Sequence, residues 1–280
     1  MLVYRTFKEL REFLDLQDEN GRTIGFVPTM GALHEGHLSL LDESKKQCDI
    51  TVCSIFVNPT QFNNPEDLKK YPRSNKDDLK KLKSIQCDIA FLPTVDEVYP
   101  ENIVSSPIDL IGLDTVMEGA HRPGHFDGVV QVVWRFFKQI KPTKAFFGEK
   151  DFQQLAIIKR LVLVKESSIE IVPCPILRED SGLAMSSRNV RLSDKGRQQA
   201  IFISEQLNLV KSLFVSESIS GIKEIVEKNF ENKPEFNLEY FEIAELDTLK
   251  SVIAKEQKTR AFVAVQIEDI RLIDNIALNY

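Results

Sequence analysis

Two of the four histidines in this 280-residue chain, His34 and His37, stand three positions apart with Gly36 between them, just after a strand-like apolar run at 23–27 and a turn of small residues. Leu38 and Leu41 recur at helical offsets toward Cys48, so the segment reads strand, turn, helix. The N–H groups that open a helix lack intrahelical partners and carry the positive end of the helix dipole, which makes phosphate their natural guest. Residues three apart share a helix face, so both imidazoles can reach one phosphate chain and offset the charge that builds up during displacement at an α-phosphate. Gly36 removes a side chain where a nucleotide would approach the backbone. A ligand-free pair of helix-start histidines has the same spacing; the Pro28-Thr29-Met30-Gly31 prefix and the preceding strand favour the nucleotide.

Four further groups stand out, each at the end of an expected strand, where open α/β sheets bind ligands. In 56–62, the amides of Asn58 and Gln61 can hold hydroxyl and carboxylate groups without trapping an ionic product, although a proline turn with locally satisfied amides is the plainer reading. In 147–154, Lys150 offers a cation to phosphates, Asp151 an acceptor to ribose hydroxyls, and Gln154 follows about one turn later. The plainer reading there is a charged helix cap. Met185-Ser186-Ser187-Arg188-Asn189 gathers hydroxyls and a guanidinium suited to an anion. In 121–128, Arg122 can meet a carboxylate or a phosphate, whereas His125 can simply cap or pack. The adjacent carboxylates Asp77 and Asp78 can attract hydrated Mg²⁺, but they also fit a helix start, the preferred reading for at least one of them.

The elements that position these groups follow from alternating patterns. Strand-like runs at 23–27, 50–57, 88–92, 144–147 and 169–172 alternate with helical stretches at 37–48, 75–85, 127–140 and 152–164, which implies parallel strands with crossover helices. Near 174–176 the pattern changes. Helices at 193–214 and 219–230 then precede strands at 238–243, 261–267 and 271–273, the outline of a small α+β unit. The expected fold is therefore α/β, with a parallel-sheet domain at 1–175 and a smaller domain at 176–280. The lysine-rich 69–83 stretch reads as a solvated helix face.

Length and an apolar content of 42% suffice for a full core, while a net charge of −6 argues against a general nucleic-acid or membrane surface. Anionic substrates would need a local cationic pocket. Charged residues from Arg5 to Glu12 interrupt any signal-like apolar core, so the cytoplasm is expected. Cys48, Cys53, Cys87 and Cys174 lack C-x-x-C spacing and read as reduced core thiols.

Taken together, the segments 28–40, 56–62, Glu66-Asp67-Leu68-x-x-Tyr71-Pro72-Arg73, 147–154 and 185–189 occur in an order that closely resembles the pantothenate synthetases, or pantoate–β-alanine ligases, of the HxGH nucleotidyltransferase superfamily. Arg271-Leu272-Ile273-Asp274-Asn275 resembles that family's ending. The resemblance implies a Rossmann-like domain, a smaller C-terminal domain closing over it, and a homodimer. It also implies condensation of (R)-pantoate with β-alanine, with ATP as substrate and Mg²⁺ in attendance, giving pantothenate, AMP and diphosphate.

Carried over position by position, Met30, Gly31, Ala32, Leu33, His34, Glu35, Gly36 and His37 would contact ATP, with the histidines at its phosphates. Gly148, Glu149, Lys150 and Asp151 would do the same, Leu177 would meet adenine through its backbone, and Met185, Ser186, Ser187 and Arg188 would close on the phosphates. Gln61 and Gln154 would hold pantoate. Asn58 and Arg122 join them as candidate contacts to pantoate or β-alanine, and His34, His37, Lys150 and Arg188 as the groups acting in adenylation. Ser181, where aspartate is usual, and the Asn63-Asn64-Pro65 wording of its loop depart from the family pattern without removing a proposed contact.

Two other functions fit parts of the pattern: an HxGH enzyme that transfers AMP to a phosphorylated acceptor, and a non-catalytic nucleotide sensor. The neutral Gln61 and Gln154 pair disfavours the first, since a phosphate acceptor calls for more cations. The full set of His34, His37, Lys150 and Arg188 disfavours the second.

Overall fold

A computed structural model describes residues 1–100, 108–255 and 258–279. Among these residues, six strands form a parallel sheet: β1 (Leu2–Tyr4), β2 (Ile24–Thr29), β3 (Ile50–Ile55), β4 (Ile89–Phe91), β5 (Lys144–Gly148) and β6 (Glu170–Cys174), in the order β1-β4-β3-β2-β5-β6. The helices are α1 (Phe7–Glu19), α2 (Glu35–Gln47), α3 (Pro65–Lys70), α4 (Asn75–Ser84), α5 (Val95–Val98), α6 (Met117–His121), α7 (His125–Ile140), α8 (Phe152–Val164), α9 (Asp194–Leu213) and α10 (Ile219–Glu231). β7 (Phe236–Glu245), β8 (Thr259–Ile267) and β9 (Ile270–Ala277) pair antiparallel in a second sheet.

β2 and β3 read as continuous apolar runs because both faces of the parallel sheet are covered. Consecutive residues serve opposite layers: Phe26 packs with α1, α7 and α8, while Val27 packs with α2 and α4. In α7, Phe126, Val129, Val130, Val133, Phe136, Phe137 and Ile140 recur at three- and four-residue spacing and are buried on the sheet. A separate apolar cluster joins α9 and α10 to the second sheet.

The strand order reverses direction between β2 and β5, and the crevice beyond their carboxyl ends is where such sheets take ligands. β2 delivers 30–37 there and β5 delivers 148–154. The described structure thus has the expected α/β class. It differs in detail: β1 and α1 add to the expected elements, β9 is longer than 271–273, and the lysine-rich stretch is two helices interrupted at 71–74. Thr6 caps α1 by accepting from Glu9 N–H, and the charges between Arg5 and Glu12 fall mostly on that helix's solvent face.

Candidate active site

A cavity of about 230 Å³ lies at this crevice. His34, His37, Lys150, Ser186 and Arg188 line it together with Gln61, Gln154, Arg122 and His125, and with Val129, Val133 and Phe136 of α7.

The two sequence-predicted histidines cap the helix they begin. His34 Nδ1 accepts from Gly36 N–H at 3.2 Å, and His37 Nδ1 accepts from His34 N–H at 3.3 Å. A ring nitrogen that accepts an N–H carries no proton, so in the neutral rings the proton sits on Nε2 of both. Burial, aided by the charges of Lys150 and Lys81, lowers the His34 pKa to about 4. His37 is pushed well below the usual range by burial and then by His34, whose ring centroid lies 4.1 Å away. Both are thus neutral Nε2–H donors at pH 7. Gly36 fits because a Cβ there would come within 2.9 Å of the His34 ring.

The turn before α2 is held from outside. Gly31 (φ +78°) and Ala32 (φ +49°) adopt left-handed backbone, and the buried Asp78 carboxylate accepts from Ala32 N–H at 3.0 Å and Leu33 N–H at 2.7 Å. Ser187 Oγ donates to Ala32 C=O at 3.0 Å, joining the 185–188 segment to the same turn. Met185 N–H donates to Leu177 C=O at 3.0 Å, so the expected adenine contact and the expected phosphate contacts share one backbone link.

Gln61 is positioned by a buried amide relay. Asn58, 1% exposed, donates to Gln61 Oε1 and to Gly128 C=O, both at 3.1 Å, and accepts from Tyr99 OH at 2.7 Å and Thr60 OH at 3.0 Å. With its oxygen engaged, Gln61 turns its Nε2 toward Met30 Sδ, 3.0 Å away. α7 can approach this turn because residue 128 is glycine; a Cβ would meet Thr60 C=O at 2.6 Å. His125 Nδ1 lies 2.7 Å from Gln61 C=O and must donate to it, leaving an unprotonated Nε2 in a ring that burial and Arg122 lower to about 4.

Arg188 donates to Asp67 at 2.9 Å and stands 5.8 Å from the centre of the Tyr71 ring. The C-terminal sheet supplies a buried cluster: Arg271 donates to both Glu118 carboxylate oxygens at 2.7 Å and Tyr240 OH to one of them at 2.7 Å. Burial acts most strongly on Glu118, pushing its pKa up, but Arg271, Tyr240 and Arg122 together outweigh it and hold the carboxyl at about 2. Arg122 lies 3.4 Å from both Glu118 Oε2 and Gln61 C=O.

The structure assembles Met30, His34, Gly36, His37, Gly148, Lys150, Asp151, Leu177, Met185, Ser186, Ser187, Arg188, Gln61, Gln154 and Arg122 around one cavity. It places other expected residues differently. Gly31, Ala32 and Leu33 stand behind the cavity, the N–H groups of the latter two already taken by Asp78, and Glu35 is exposed on the first turn of α2. Glu149 points to Arg260, 2.9 Å away. Asn58 does line the cavity, with its amide bonded to Gln61, Gly128 and Tyr99.

Asp77 and Asp78 make no metal pair at the cavity. Asp77 is bound to Ser74 Oγ in the first turn of α4, the helix-start reading, while Asp78 holds the 32–33 turn. Sequence reasoning assigns no site role to His125, Asp67, Tyr71, Glu118, Tyr240 or Arg260. Signals existed for three of them: Asp67 and Tyr71 lie in the Glu66–Arg73 motif, and His125 stands three residues after Arg122. The other three are brought in by long-range pairing that no local spacing announces.

Known proteins resemble this chain over its whole length. A family model described as pantoate-beta-alanine ligase matches residues 2–277. The pantothenate synthetase of Christiangramia forsetii is 52% identical over 282 residues, covering 100% of both chains, and that of Flavobacterium psychrophilum is 50% identical over 283 residues, covering 99% of this chain and 100% of its own. A crystal structure of pantothenate synthetase from Thermus thermophilus superposes with a TM-score of 0.92 at 37% identity, covering 99% of each chain. Pantoate-beta-alanine ligase from Francisella tularensis, solved with beta-gamma ATP and beta-alanine, gives 0.82 at 33% identity, covering 100% of this chain and 98% of that one.

Proposed function

The chain belongs to the pantoate–β-alanine ligase family, and we propose that its cavity carries out the ATP-dependent condensation of (R)-pantoate with β-alanine, giving pantothenate, AMP and diphosphate through a pantoyl adenylate. The observation that carries this reading is one cavity lined by two kinds of group. Imidazole donors and cations at His34, His37, Lys150 and Arg188 suit a triphosphate, while the neutral amides of Gln61 and Gln154 beside Val129, Val133 and Phe136 suit a small hydroxy acid with an apolar middle.

A carboxylate and an amine do not condense usefully in water, so the carboxylate first needs a leaving group. A pantoate oxygen attacks the α-phosphate and displaces diphosphate. The Nε2–H groups of His34 and His37, with Lys150 and Arg188, meet the charge that develops on the departing oxygens. Histidines held neutral act as donors without needing a proton from solvent. The β-alanine amine then attacks the acyl carbon and expels AMP. Arg122 is the cation beside the amide end that can take the β-alanine carboxylate, and exclusion of water protects the mixed anhydride.

Mg²⁺ would be brought by ATP. The triphosphate and its water shell would hold it, with Asp151 the carboxylate among the cavity-lining residues, and it would add positive charge at the departing diphosphate. We extend the proposal to a boundary near 175, with 176–280 closing over the nucleotide; the bonds from Ser187 to Ala32 and from Arg188 to Asp67 support such closure. A homodimer, on the family resemblance, and a cytoplasmic location complete it. Among the described residues, no helix is long and apolar enough to cross a membrane.

Pantoate carrying ¹⁸O in its carboxylate tests the reaction directly. One ¹⁸O should appear in AMP, because the attacking oxygen leaves with the phosphate. AMP attached to a phosphorylated acceptor would indicate the other HxGH chemistry instead.

A further inference from the structure

Three polar residues of β9 each bind a different segment next to the cavity. Arg271 binds Glu118 in α6; Asp274 binds Arg178, beside Leu177, through two bonds of 2.6 and 3.0 Å; Asn275 binds the turn that carries Lys150. The last is the most consequential. Asn275 is 2% exposed, and its Nδ2 donates to the carbonyls of both Glu149, at 3.0 Å, and Lys150, at 2.8 Å. Its Oδ1 accepts from Arg260, which is 3% exposed, donates to Glu149 Oε2 at 2.9 Å and lies 4.2 Å over the Phe152 ring.

The gripped turn is short. Glu149–Asp151 form a 3₁₀ turn between β5 and α8, a geometry with weaker internal hydrogen bonds than an α-helix. A lysine ammonium at the end of a flexible stem is placed only as well as its backbone is placed. Here two consecutive carbonyls are fixed by one buried amide whose own oxygen is fixed in turn. A buried amide with every bond made has one orientation, because any rotation leaves polar atoms unpaired. No other residue of the C-terminal sheet binds both carbonyls of this turn in the described structure.

We propose that Asn275 is a positioning residue for Lys150, setting from the C-terminal sheet the backbone on which that ammonium meets the ATP phosphates. The proposal rests on the role given to Lys150 above. The β9 ending singled out in the sequence thereby gains a task in the first chemical step: it fixes one wall of the phosphate end.

The test is single-turnover adenylation with ATP, Mg²⁺ and pantoate, measured in the full chain. Asn275→Asp keeps the volume and the Arg260 bond but turns an oxygen toward the two carbonyls. The rate should fall on the order of 10²-fold, the scale of a misplaced catalytic group, while the pantoate KM changes little. Asn275→Asp added to Lys150→Ala should slow the reaction no further than Lys150→Ala alone.

A near-normal rate in Asn275→Asp overturns the proposal. So does a second loss of full size in the double variant, which would mean that Asn275 supports the whole site rather than Lys150. A near-normal rate in Lys150→Ala overturns the reading on which the proposal stands, and is distinguishable from both. If Asn275→Asp does not fold, Arg260→Lys carries the same cycle, with a smaller loss expected that again vanishes in Lys150→Ala.

Discussion

The Asp78 carboxylate accepts the Leu33 backbone N–H at 2.7 Å across 45 positions of sequence, and its second oxygen takes Ala32 N–H at 3.0 Å. This pairing holds a turn of two left-handed residues directly before the histidine-capped helix. A residue weighed as a metal ligand is instead the buried anchor of the nucleotide loop.

Removing that anchor leaves two N–H groups buried without a partner, and each such orphan costs about 1–3 kcal/mol. Asp78→Ala should therefore lower unfolding free energy by several kcal/mol by denaturant titration and weaken ATP use more than pantoate use. Asp77→Ala, which touches only Ser74 among its described side-chain bonds, should leave ATP use near normal.

The histidine tautomers give a second expectation. At pH 7, ¹⁵N spectra should show the proton on Nε2 of His34 and His37 and on Nδ1 of His125, since each tautomer is dictated by the backbone group it faces. Folding lowers these pKa values below 6.5, so the stability from keeping the rings neutral is present above 6.5 and lost as pH falls through the folded values, about 4 for His34 and His125. Histidine titration should produce no inflection near 6.5 in kcat/KM for ATP. Such an inflection, assigned to His34 or His37 by NMR, would contradict the donor role.

A third concerns Glu118. Its carboxyl is moved down from 4.5 to about 2, which corresponds to about 3 kcal/mol of stability. A depressed carboxyl stabilises above its unfolded value and loses that contribution as pH falls toward 2. The gap in unfolding free energy between the native chain and Glu118→Gln should be full at pH 7 and close progressively below about pH 4.5. A gap unchanged at low pH would mean that packing, not charge, holds Arg271 and Tyr240.

Asn58 should behave as a support for Gln61. Asn58→Ala frees the Gln61 oxygen and removes the bond to α7, so pantoate KM should rise while ATP binding, followed by calorimetry, holds nearly constant. Gln61→Ala in the same background should add little if the two act as one unit.

What was legible in the sequence follows a physical division. Buried parallel strands write continuous apolar runs and crossover helices write a 3.6-residue stripe, so β2, β3, α7 and α8 could be read locally. His34 and His37 could be read because a strand-to-helix turn puts both on one face. By contrast, β1 has three residues, two of them exposed, too short to show a period. The pairings of Asp78 with Leu33, Glu118 with Arg271, Arg260 with Glu149 and Asn275 with Glu149 span 45 to 153 positions, distances that spacing does not encode. The full set of Asn58 bonds is illegible for a related reason: its bond to Gly128 C=O exists only once α7 is in place.

The most direct measurement mixes the protein with ATP, Mg²⁺ and pantoate in the absence of β-alanine and counts diphosphate. Chemistry through a sequestered pantoyl adenylate gives a rapid, pantoate-dependent burst of about one equivalent per site, followed by AMP and pantothenate when β-alanine is added. No pantoate-dependent cleavage of ATP until β-alanine is present would contradict it.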